Sequence, residues 1–194
     1  MRREPRALSV PKSVDLDTAT AFLKIRLRGK FAITSVTLRL DKEPAINTSY
    51  GAIQSKLQEK GIDDPGIKDI SDVIIEIRQS KLPDPAALGN AGSFFKNPVI
   101  SNPKYEALRK EYPQIPGYPV DEDTTKVPAG WLIEETGWKG KTLGNAGTYQ
   151  NQALVIVNHG GATGKEILAL AEKVRQSVKE QFGIELNPEV NIIG

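Results

Sequence analysis

Cysteine is absent from the 194-residue chain, and His159 is its single histidine. The first absence rules out disulfides and thiolate metal sites, and it permits a cytoplasmic location. The second rules out histidine metal clusters and any mechanism that needs two imidazoles. No apolar run approaches the ~18 residues of a membrane-spanning helix, and no segment has the form of a secretion signal. A strong charge of either sign is also missing. The formal net charge of +2 gives no reason to expect nucleic acid or an anionic membrane as a partner. What is present is a 39% hydrophobic composition, which suits one large or two small domains with a real core.

Residues 1 to about 25 show no clear period. Met1 to Arg6 is basic, and Pro5 and Pro11 break any early helix. From Phe31 to Leu40 apolar and polar residues alternate, with a slip at Thr34-Ser35, which predicts a half-buried strand with a bulge. Tyr50 to Lys60 reads as an amphipathic helix with Ala52, Ile53 and Leu57 on one face and Gly61 as its stop. The next helix is expected to be capped by Ser71, to turn Val73, Ile74 and Ile77 inward, and to end at Pro83. Pro83-Asp84-Pro85 is the linker candidate, because paired prolines forbid regular structure. Further on, Asn102-Pro103 caps a helix running to about Tyr112. The four prolines of residues 113–128, with the acidic run Asp121-Glu122-Asp123, predict a loop. Ala129 to Thr136 reads as a short helix closed by Gly137. Ala153 to Val157 is apolar throughout, as a buried strand is. Thr163-Gly164-Lys165-Glu166 is a capping box. It opens a long helix whose stripe is Ile167, Leu170, Ala171, Val174, Val178 and Phe182, with Gly183 as its stop. A last strand is expected over Ile184 to Ile193.

The stretch with the most chemistry in it is Gly89 to Val99. Gly89 and Gly92 allow positive φ or close approach to a ligand, and Ser93 follows directly. Two readings stay open: a turn entering a strand from Phe94 to Val99, or a segment that aims the hydroxyl into a cleft. Leu-Gly-Asn-Ala-Gly recurs at Leu143 to Gly147 without the aromatic tail, and is read as a turn. Gly160-Gly161-Ala162-Thr163-Gly164-Lys165 stands where a phosphate loop would. However, His159 replaces its first glycine and Glu166 replaces its metal-binding hydroxyl, so a glycine-rich turn and a capped helix fit better. Arg78 and Lys81 share a helix face, either as a solvated pair or as an anion site suited to a diphosphate. Tyr50 and Tyr118, each beside a glycine, read as loop anchors, and Glu189 as an exposed carboxylate.

The run Gly89-Asn90-Ala91-Gly92-Ser93-Phe94-Phe95-Lys96-Asn97-Pro98 resembles the signature of the UDP-N-acetylenolpyruvoylglucosamine reductases, the MurB family. The similarity spans about residues 24 to 194. It takes in Phe31 to Leu40, Lys81 to Pro85, Ala129 to Ile133, Gln152 to Val155, Pro188-Glu189-Val190 and Ile193-Gly194. It implies an α+β fold in which residues 26–82 are a remnant of a FAD-binding region and 84–194 a substrate-binding domain. It further implies a cytoplasmic, monomeric oxidoreductase of peptidoglycan biosynthesis that uses FAD and NADPH. Its substrate would be UDP-N-acetylglucosamine enolpyruvate, reduced to UDP-N-acetylmuramate. Hydride addition to an unsaturated carboxylate builds enolate-like charge that the site must stabilise, and a hydroxyl then delivers the proton. Ser93 matches the family's proton donor and Glu189 its acidic partner. Arg78, Lys81, Asn97, Tyr118, Lys126 and Gln152 match its UDP-sugar contacts, and Tyr50 the covering loop.

Two departures from the family bear on activity. Its glycine-rich FAD-binding half has no counterpart in this sequence. Its Tyr-Arg-x-Ser-x-Phe-Lys segment aligns with Thr18 to Lys24, which puts Ala19 at the arginine position. The codons ACC GCA ACA GCG TTT TTA AAA would encode Thr18 to Lys24. Read one nucleotide earlier after a GAT codon for Asp17, they give Tyr-Arg-Asn-Ser-Val-Phe-Lys. Residues 1 to about 25 are therefore expected to be non-native or disordered, the product of out-of-frame translation. The chain alone is expected to have little or no reductase activity. The alternatives are a UDP-sugar-binding module without redox chemistry, or a product that folds poorly because an unpaired strand edge is exposed.

Overall fold

The structure, a computed structural model, describes residues 35, 37, 39–49 and 52–193. By compactness the chain divides into Met1–Ala45 and Ile46–Gly194. The described residues of the first unit carry no helix or strand. Residues 1 to 25, most of the strand expected over Phe31 to Leu40, and Tyr50 lie outside the described residues.

The second unit begins with a helical pair, α1 (Ile53–Glu59) and α2 (Ile67–Lys81). Ile53 and Leu57, one turn apart, meet Val73 in a small core flanked by Ile62 and Ile77. Gly61 takes φ +67 just past the end of α1, a conformation only glycine adopts freely. Three expectations need correction here. Ala52 is exposed, because it stands at the cap rather than inside the helix. Ser71 lies within α2 and does not cap it. The helix starts at Ile67, where the Gly66 amide donates to the Asp69 carboxylate at 2.9 Å. Ile74 is 37% exposed, because the inward row of α2 runs through Val73 and Ile77, four residues apart. Leu82 is extended (ψ 141), as the residue before Pro83 must be, and α2 stops there.

The rest of the unit is built on two antiparallel sheets. The larger has the order β1-β7-β6-β5, with β1 Gly89–Ser93, β5 Thr142–Leu143, β6 Ala146–Tyr149 and β7 Gln152–Asn158. The smaller has the order β2-β4-β3, with β2 Val99–Ser101, β3 Tyr118–Pro119 and β4 Thr124–Lys126. Three helices complete it: α3 (Asn102–Glu111), α4 (Ala129–Glu135) and α5 (Gly164–Phe182). The capping box of α5 forms as expected. The Glu166 carboxylate accepts from the Thr163 amide at 2.7 Å, and the Thr163 hydroxyl accepts from the Glu166 amide at 3.3 Å. Gly183 closes α5 at φ +62. The stripe Leu170, Ala171, Val174, Val178 and Phe182 is buried against Leu132 and Ile133 of α4, Ile156 of β7, and Phe94, Phe95, Ile184 and Leu186. Each valine, leucine, isoleucine or phenylalanine among them contributes roughly 1.5–3 kcal/mol by leaving water, so this cluster dominates the fold. The second Leu-Gly-Asn-Ala-Gly is the tight β5–β6 turn, with Gly144 at φ +60.

Four further expectations change. No strand runs from Phe94 to Val99. Pairing stops at Ser93, after a bulge at positive-φ Gly92, and Phe94 and Phe95 bury as an edge-to-face pair 5.1 Å apart. Residues 113–128 are not a plain loop, since they carry β3 and β4. Pro119 is tolerated because β3 lies at the sheet edge, where a missing N–H breaks no ladder. Asn102 does not cap α3, since Ser101 holds that position. The Asn102 amide instead donates to Glu122 O at 2.8 Å and its oxygen accepts from Thr125 at 2.7 Å. Ile184 to Ile193 forms no strand and makes one bridge, Phe95 to Pro188.

Candidate functional site

Ser93 and Glu189, ninety-six positions apart by their numbers, meet through the residue between the sheets. The Phe94 amide donates to Leu154 O on β7 and the Phe94 carbonyl accepts from the Glu189 amide, both at 2.8 Å. Lys96 donates to Asn187 O at 2.9 Å, so residues 94–96 and 187–189 run side by side. Ser93 and Glu189 are both exposed, one at the end of β1 and the other one residue beyond the bridge. Buried Phe94 and Phe95 anchor this crossing, so both polar residues stand beside a rigid apolar base.

Asn97 and Gln152 converge on α4. The Asn97 side-chain oxygen accepts from the Ala129 amide at 2.9 Å, tying the crossing segment to the first residue of α4. The Gln152 side-chain oxygen lies 3.1 Å from where a Cβ would stand on Gly130, the next residue. Lys126 pairs with Val99 on one side and Tyr118 on the other, so these three side chains share a sheet face. Tyr118 is 58% exposed there. Arg78 and Lys81 are exposed near the end of α2. Ser80, between them, accepts from the Asn151 amide group at 3.0 Å, which sets this helix end beside the first residue of β7, Gln152. The eight described candidates therefore lie on contiguous segments. Among the described residues, no hydrogen bond links two of their side chains, and Arg78, Lys81, Lys126 and Glu189 make no salt bridge.

Three positioning features escaped the sequence reading. Gly117 faces the Tyr105 ring so closely that a Cβ would come within 2.5 Å of its hydroxyl, and that hydroxyl donates to Ile115 O at 3.0 Å. The acidic run makes the β3–β4 turn. There the Asp121 carboxylate accepts from the Thr124 hydroxyl at 2.8 Å and the Asp123 amide at 2.9 Å. The hydroxyl first, then the amide, hold the Asp121 carboxyl below its ordinary value. Arg175 ties α5 to the Glu185–Leu186 segment. The Tyr105 and Arg175 contacts have no local sequence signal, because each pairs residues that only the tertiary fold brings together; the Asp121 turn is local, and the acidic run marked it only as loop.

In the glycine-rich turn before α5, the Gly160 and Ala162 amides donate to the Asn158 side chain at 2.9 and 3.0 Å. The Thr163 amide is engaged by Glu166. Among the described residues, no buried side-chain nitrogen or oxygen is left without a partner. No helix among the described residues is long and apolar enough to cross a membrane.

The architecture is α+β with antiparallel sheets. Residues 84–193 match the family model of the UDP-N-acetylenolpyruvoylglucosamine reductase, C-terminal domain. The chain belongs to that family. A UDP-N-acetylenolpyruvoylglucosamine reductase from Flavobacterium johnsoniae is 50% identical over 174 residues, 89% of this chain and 52% of its own length. That from Chromobacterium violaceum is 52% identical over 165 residues, 85% of this chain and 48% of its own. The chain thus spans about half the length of the relatives it matches. A crystal structure of the reductase from Thermus caldophilus is similar with a TM-score of 0.38 and 27% identity, covering 64% of this chain and 34% of that one.

Proposed function

We propose that this chain is the substrate-holding half of a UDP-N-acetylmuramate dehydrogenase and binds UDP-N-acetylglucosamine enolpyruvate. Arg78 and Lys81 grip the diphosphate by charge-assisted hydrogen bonds. Asn97, Tyr118, Lys126 and Gln152 hold the sugar-nucleotide, and Tyr50 covers it. Ser93 delivers a proton to the carbon beside the carboxylate once that carbon carries enolate character. Glu189 acts as its acidic partner. A hydroxyl suits this task because a strongly basic carbon needs no acidic donor. The family's NADPH and FAD supply the other hydrogen, but no step through them is assigned to these residues. Residues 84–194 form the substrate-binding domain and 26–82 correspond to part of the FAD-binding region. The protein acts in the cytoplasm as a monomer.

The observation that supports this reading most is the 2.8 Å bond from the Glu189 amide to the Phe94 carbonyl, beside Ser93. Calorimetry of the chain with UDP-N-acetylglucosamine enolpyruvate tests it. Binding is expected, weakened about tenfold or more by Lys81→Ala, since a hydrogen bond to a charged group contributes ~1.5–3 kcal/mol. Ser93→Ala should bind nearly as well as the parent. No measurable heat, or equal loss in both variants, would end the proposal. Without its partner half the chain acts as a UDP-sugar-binding module. A yellow preparation that oxidises NADPH with the substrate would instead make it a complete reductase.

A further inference from the structure

Carbonyls along an extended chain point alternately to its two sides. In residues 184–189 the Asn187 carbonyl accepts from Lys96. The Leu186 carbonyl therefore faces the other way, where no strand pairs with it among the described residues. A carbonyl in that position needs a donor. Arg175, half-buried on α5, supplies one: its Nε donates to Leu186 O at 3.0 Å. Its Nη2 donates to Glu185 at 3.0 Å, and its Nη1 to Glu172, one turn back on α5, at 2.6 Å. All three sides of the guanidinium are used. The Arg175 side chain also lines an open, mainly apolar cleft of about 470 Å³ with Phe94, Phe95 and Pro188, the residues that join the two segments. Ile184 and Leu186 point into the core on either side of outward Glu185. Burial therefore fixes which side of the segment faces in, and the arginine fixes its position along α5.

We infer that Arg175 is the positioning residue of the Glu189 segment, holding residues 185–186 to α5 so that Glu189 meets Phe94, beside Ser93, in one register. Its consequence for catalysis rests on the reading of Glu189 as the acidic partner, but the clamp itself does not. A planar fork suits this work better than a point charge, because it bonds a carbonyl and two carboxylates at once.

Amide hydrogen exchange of the full chain, read by NMR, tests the inference with two variants. Arg175→Met keeps the apolar stem and removes every donor. Arg175→Lys keeps the charge and a single donor group. Expected for Arg175→Met is about tenfold or faster exchange at the Glu189 and Lys96 amides, with the Val155 and Val157 amides of β7 changed less than about twofold. Arg175→Lys should fall between Arg175→Met and the parent. Unchanged Glu189 and Lys96 exchange would overturn the inference. So would a rise matched by β7, which would mean only general support of the fold, or Arg175→Lys behaving as Arg175→Met. Loss of substrate binding while these amides stay protected would count against the functional reading and leave the clamp standing.

Discussion

The helical pair α1–α2 and the two-sheet body rest on cores of very different depth. Three buried side chains, Ile53, Leu57 and Val73, hold the pair. The body gathers its aromatic, strand and helix residues into one continuous cluster. Arg78 and Lys81 stand on the thin foundation, while Ser93, Asn97, Gln152 and Glu189 stand on the thick one. The proposed cation pair therefore rests on a core that can open with little cost, while the proposed proton-transfer pair rests on one that cannot. The sharpest test truncates one leucine in each. Leu170→Ala, at 0% exposure between α5 and the sheet, should cost about 4 kcal/mol of global stability by urea denaturation. Leu57→Ala, at 4%, should cost about 2 kcal/mol and speed amide exchange in residues 53–81 without touching β7. Equal shifts of the global midpoint would mean the two regions unfold as one.

Within the body the contrast can be tested again at Gly117. A methyl group there meets the Tyr105 ring, which is held by its bond to Ile115 O. Gly117→Ala should cost about 2 kcal/mol by overpacking and move Tyr118, so substrate affinity falls with stability. Affinity unchanged at lowered stability would remove Tyr118 from the binding surface. Thr163→Ala deletes the cap of α5 and should cost about 1 kcal/mol. The loss should appear as fraying of the first turn and leave Glu189 protected.

Elements that carry their own boundary signals were legible before the structure. α5 has a capping box, a helical stripe and a left-handed glycine stop within one stretch of sequence, and β7 is apolar from Ala153 to Val157. Their neighbours cannot compete with signals that strong. The segments that misled are those whose pairing is chosen elsewhere. Ile184 and Leu186 alternate inward as a strand would, yet the ladder with residues 94–96 is too short to extend them, and Arg175 supplies a bond instead. Pro119 argues against a strand by itself and is accommodated only because β3 falls at an edge. In the site, Ser93 and Glu189 were named from the family signature. Their shared neighbour Phe94 brings the two distant segments side by side, a pairing that no local pattern announces.

The smallest effects separate the two regions by how each responds to pH and salt. In the body, the Thr163 amide, then its hydroxyl, hold the Glu166 carboxyl below its ordinary 4.5. A lowered folded value means the contribution is whole above 4.5 and is lost as pH falls through that lowered value. Asp121 has the same sign. In the helical pair Lys60, hydrogen-bonded at 2.8 Å, lowers Glu76, which gives the same acid-side loss. The pair has an alkaline side as well. Glu59 raises Lys56 above 10.5, so that contribution is whole below 10.5 and is lost as pH rises through the raised value. Salt acts in the same direction as alkali, since at 1 M the screening length falls to ~3 Å and weakens ion pairs more than a local capping box. Trp131 and Trp138 both pack against the body's core, so their fluorescence reports that region, whereas far-ultraviolet dichroism also sees α1 and α2. Above pH 10.5, and again in 1 M salt, dichroism should lose helix while tryptophan emission holds steady. Transitions that coincide by both signals would show that the pair has no independent electrostatic support, and its cations would then be as firmly placed as Ser93.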